Sequence, residues 1–78
     1  MYRVTRKQLI KPSIGVDWTG IRFEDSTDFD SYDAADLLKI RLLSSEMSLG
    51  GVPYGPDKVI FETPTFYRSV TVTIEEIN

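Results

Sequence analysis

The chain has 78 residues, 41% of them apolar, a formal charge of −3, and neither cysteine nor histidine. That length sets a single domain, residues 1–78, near the lower limit at which an apolar core holds a fold unaided. The missing residue types exclude disulfides, a Cys/His zinc site and nucleophilic catalysis built on His or Cys, and the apolar share with nine aromatics argues against a disordered chain.

The first expected element is a strand over Tyr2–Ile10, rich in β-branched and aromatic residues and ended by Pro12-Ser13. It carries Arg3, Arg6 and Lys7, with Lys11 just beyond and no acid among residues 1–11. Charges of this kind protect an exposed edge strand from pairing with other chains. A second extended piece follows, Val16-Asp17-Trp18 and then Ile21-Arg22-Phe23-Glu24, punctuated by Gly15 and Gly20. Trp18, Ile21 and Phe23 are its expected core anchors.

Residues 24–36 then hold six carboxylates and no base. Asp28 or Asp30 suits a helix N-cap, where a carboxylate accepts from free backbone N–H groups and complements the helix dipole. The helix that follows has two readings. The long one runs over about 31–48. The short one stops near residue 37 and gives way to a strand, because Leu38, Ile40 and Leu42 alternate with Lys39 and Arg41. Gly50 to Asp57 is a Gly/Pro loop, Lys58–Glu62 a strand, Thr63-Pro64 an interruption, and Tyr67–Ile77 the most strictly alternating strand of the chain. The class is α+β: a small antiparallel sheet of about four strands with one helix packed on one face. Under the short-helix reading it becomes a reduced ferredoxin-like sheet.

Little of this chemistry is catalytic. Gly50-Gly51-Val52-Pro53-Tyr54-Gly55 has Pro56-Asp57 where a phosphate-binding loop needs Lys and a hydroxyl. A calcium loop opened by Asp28 would need Gly at Asp33 and Glu at Lys39. A looser divalent-cation site from Asp25, Asp28 and Asp30 stays open as an alternative. The plain reading of the acidic segment is a solvated loop and helix N-terminus whose acids complement the helix dipole; the functional use preferred beside it is a protein-binding surface made of Asp28, Phe29, Asp30, Tyr32, Asp33 and Asp36. In it Phe29 and Tyr32 are anchors, and the carboxylates steer a basic partner. No cofactor is expected. An acidic domain is a poor nucleic-acid binder, since phosphate contacts dominate that affinity, and no run approaches the roughly 20 apolar residues of a membrane span.

Val4-Thr5-Arg6 and Pro12-Ser13, followed by Val16 and Trp18, resemble the opening of small accessory and virion-associated proteins of tailed phages. One extra residue lies between the two matched groups, and the likeness ends at Gly20. It implies a compact α+β domain, resembling ferredoxin-like dimeric barrels, in a virion or in the cytoplasm of the host, and it carries no site residues. The expectation is therefore a non-enzymatic phage-type protein that acts by protein–protein contact, first with itself as a homodimer. Two alternatives stand beside it: an inhibitor of a basic host protein through a phosphate-mimicking acidic surface, and a small metal-binding module.

Overall fold

A computed structural model describes residues 1–11 and 20–77. Its elements are β1 (Tyr2–Lys11), β2 (Ile21–Phe29), α1 (Tyr32–Ser48), β3 (Val52–Pro53), β4 (Lys58–Thr63) and β5 (Phe66–Glu76). All strand pairings are antiparallel, in a single five-stranded sheet of order β2-β1-β5-β4-β3. The α+β class holds, with five strands in place of about four. The short-helix reading is corrected, because residues 38–42 lie within α1. The reduced ferredoxin-like order that depended on it is not confirmed.

Directly opposed residues in a sheet share a face. Val4 opposes Ile74 and Val70 opposes Val59, which places them, with Val72, on the face that α1 covers. Val4, Val59, Val70 and Val72 join Ala35 and Leu43 of α1 in the buried core, with Tyr2, Phe29, Leu38, Leu42 and Ile74 packed around it. The strict alternation of β5 thus has a direct cause: one pleat is core and the other faces away from the helix.

The apolar side chains of α1 extend round most of its circumference. Ala35 and Leu43 are buried, whereas Leu37, Ile40 and Met47 are exposed. This distribution is why its sequence alternates as well as a strand does. The helix wins because both of its ends are built into the chain. Ser31 is the N-cap, its hydroxyl accepting from the Ala34 N–H at 3.2 Å, so the cap expected at Asp28 or Asp30 moves one residue past Asp30. At the other end the Gly50 N–H donates to Met47 O at 3.0 Å and the Gly51 N–H to Glu46 O at 3.1 Å. That double closure needs a positive φ after the cap, which Gly50 supplies at 103°.

The Gly/Pro loop contains β3, a two-residue edge strand ending in Pro53. Thr63-Pro64 proves to be the start of a tight turn between β4 and β5. The expected Val16–Trp18 piece and its Trp18 anchor lie outside the described residues. Two further expectations are corrected. Strand β1 is not an edge, since it lies between β2 and β5. Ile21 and Phe23 are not core anchors, since both are about half exposed, at 53% and 52%.

Candidate protein-binding surface

The first half of the acidic segment is strand. Glu24, Asp25 and Asp28 lie in β2, and each is opposite a base of β1: Lys7 opposes Glu24, Arg6 opposes Asp25 and Arg3 opposes Asp28. The ion pairs form across that register. Arg3 Nε donates to Asp28 Oδ1 at 2.8 Å and Arg6 Nη2 to Asp25 Oδ2 at 2.6 Å, while Lys7 Nζ stands 3.9 Å from Glu24 Oε1. Thr5 and Ser26 hydroxyls meet at 3.2 Å between them. The hydrogen bond from Arg3 holds the Asp28 carboxyl below its ordinary range, and the same bond and charge raise Arg3.

The two charge blocks of the sequence are therefore the two strands of one hairpin. Exposed ion pairs of this kind each contribute little to stability, because solvent screens them, but together they select a register. Along β1 the bases come as Arg3, then Arg6, then Lys7, and along β2 the acids come in the same spacing reversed. That mirror spacing is the signal in the sequence that would have identified the hairpin.

The six expected contact residues are gathered at the corner where β2 leads into α1, in different roles. Asp28 is held by Arg3. Phe29 is half-buried against the core cluster. Asp30 and Asp33 are exposed and Asp36 is half-buried. Tyr32 is 51% exposed and sets its ring edge-on to Tyr2, with centroids 5.5 Å apart. The corner therefore offers Tyr32 flanked by Asp30 and Asp33, with Phe29 turned inward.

Asp25 and Asp28 project from opposite faces of β2, as residues of odd and even number in a strand must. Among the described residues no three acids come together as a metal-binding group. Among the described residues, one shallow depression is lined by Lys7, Gln8, Arg22, Phe23 and Glu24, and another by Glu46, Leu49, Phe61, Phe66 and Arg68. The second contains an interior network: both Arg68 guanidinium nitrogens reach the Glu46 carboxylate, at 2.8 and 3.0 Å, and Nη2 also donates to Gln8 Oε1 at 2.9 Å. It ties α1 to β5 and β1. Lys39 and Asp57 form a further bond from α1 to the approach of β4.

Sequence reasoning missed two surfaces. The first is the outer side of α1, where Leu37, Ile40 and Met47 recur at helical spacing with 49%, 53% and 41% exposure. The second is β2 itself, where every residue from 21 to 28 is exposed. Among the described residues no helix is long and apolar enough to cross a membrane. No family model, curated protein or solved structure matches the chain.

Proposed function

We propose that this chain is a non-enzymatic accessory protein, of the kind made by tailed phages, that works through protein–protein contact and associates first with its own copies. The observation that carries the reading is the apolar stripe Leu37, Ile40 and Met47 on the outside of α1, with Leu49 beyond it at 67% exposure. Three apolar side chains aligned along one helix form a surface that gains from being covered. The virion or the host cytoplasm is the setting that goes with this reading.

Three of the six acids on which a phosphate-mimicking inhibitor would rely are engaged by β1 bases. That leaves less negative surface for a basic host target. The metal-binding alternative meets the same difficulty, because Asp25 and Asp28 are paired on opposite faces.

The test is light scattering of the purified protein over a concentration series, with capture of partners from host lysate at low and high salt. Both are run on wild type and on Leu37→Ser/Ile40→Ser. A defined oligomer, or a captured protein that is lost in the double variant, supports the reading. A wild type that stays monomeric and captures nothing overturns it.

A further inference from the structure

The two edges of the sheet are managed in opposite ways. At one end β3 is two residues long and carries Pro53, which blunts it. At the other end β2 is nine residues long, free of proline, and paired with β1 in one unbroken register from Tyr2↔Phe29 to Ile10↔Ile21, without a bulge. Charges often protect such an edge, but here Glu24, Asp25 and Asp28 are drawn onto β1. Arg22 alone among the charges of β2 has no ion-pair partner among the described residues.

We infer that β2 is a docking edge for the β2 of a second copy, the two pairing antiparallel about a twofold axis at Asp25 to make one continuous ten-stranded sheet. This rests on the proposed function and deepens it: the contact between copies is placed on the β2 edge, and the α1 stripe is left for a further protein.

The sequence of β2 complements itself in this register. The axis at Asp25 is the midpoint of Ile21–Phe29, so the whole strand overlaps its copy. Arg22 then faces Asp28 of the second copy, twice, and Glu24 faces Ser26. On the pleat that bears the helix, Ile21 faces Phe29 and Phe23 faces Thr27. Phe23 and Ile21, left half exposed within one chain, would be covered. The one adverse meeting is Asp25 with its own copy, and each Asp25 is already held by Arg6 at 2.6 Å.

Neighbouring registers are worse. Moving the axis to Ser26 sets Glu24 against Asp28, twice. Moving it to Glu24 sets Glu24 against itself, with only Lys7 at 3.9 Å beside it, and puts Phe23 opposite Asp25. A slip of one residue would pair opposite pleats.

The absence of native cysteine allows the register to be read directly. Asp25→Cys places two thiols on the axis and should form a disulfide-linked dimer under mild oxidation. Phe23→Cys and Thr27→Cys should cross-link when mixed and not when alone. Arg22→Glu removes the complementary pairs without touching an ion pair inside the chain, and should weaken the dimer by about tenfold, given the size of two cross-strand charge pairs. Circular dichroism on each variant checks that it is folded. A dimer with this cross-linking pattern and this Arg22 effect supports the inference. If a dimer forms but Asp25→Cys does not cross-link and Leu37→Ser/Ile40→Ser dissolves it, the β2 edge is overturned while the functional reading stands. A protein monomeric at every concentration overturns the inference, and the functional reading is then decided by partner capture.

Discussion

Replacing Arg68 by methionine isolates what the interior network does. Glu46 keeps only 12% of its side chain exposed and Arg68 25%, so the pair lies mostly out of water, held bidentately and shared with Gln8. Removing one partner of a buried pair costs about 3–5 kcal/mol, because it leaves the other charge without compensation. The residual exposure lets water reach part of the site, so Arg68→Met should cost about 2–3 kcal/mol. That amounts to about 10–20 °C in Tm for a domain of this size. The double replacement Arg68→Met/Glu46→Leu removes both charges and fills the space with apolar volume, and should return to within about 1 kcal/mol of wild type. Urea unfolding followed by far-UV circular dichroism reads both values. A single variant indistinguishable from wild type, or a double variant as unstable as the single, would refute the argument that the uncompensated carboxylate sets the cost.

Two further outcomes are expected. Gly51→Ala would put a Cβ 2.4 Å from Val59 Cγ1 and 2.9 Å from the Glu46 carbonyl oxygen, both fixed by the core and the helix end. It should cost about 1–3 kcal/mol in urea unfolding, whereas Gly55→Ala, which meets no atom within 4 Å, should cost less despite its positive φ. The folded Asp28 carboxyl titrates below its unfolded value because of the Arg3 hydrogen bond, so the pair contributes at neutral pH and its contribution fades as the pH falls through that lowered value. In Arg3→Met, carboxyl NMR should show Asp28 titrating at higher pH than in wild type.

The parts of the fold legible in the sequence are those whose cause is local. Strand β5 shows its alternation because Val70, Val72 and Ile74 face the helix while Thr71 and Thr73 do not. Helix α1 is recognisable but ambiguous, since Leu37 and Ile40 on its outer side blur the amphipathic pattern. Strand β2 is hard to read because its cause is distant. Aspartate is disfavoured in strands, and the stretch from Glu24 to Asp28 becomes one through Arg3, Arg6 and Lys7 on another element. Of the expected contact residues, Tyr32, Asp30 and Asp33 lie at an exposed corner as a helix start would place them. Asp28 and Phe29 are neighbours in sequence, which suggests one surface, but strand geometry sends them to opposite faces.

The position of β1 also sets an order of events in time. Its hairpin partner β2 is synthesised soon after it, but its other partner, β5, is the last of the described strands, with Val4 opposite Ile74. Contacts so far apart along the chain form slowly, because a long loop must close before any of them is rewarded. Two of the buried valines, Val70 and Val72, belong to that last strand. A nascent chain can therefore zip the charged hairpin and wind α1, yet the layer between them stays open until β5 leaves the ribosome and inserts beside β1.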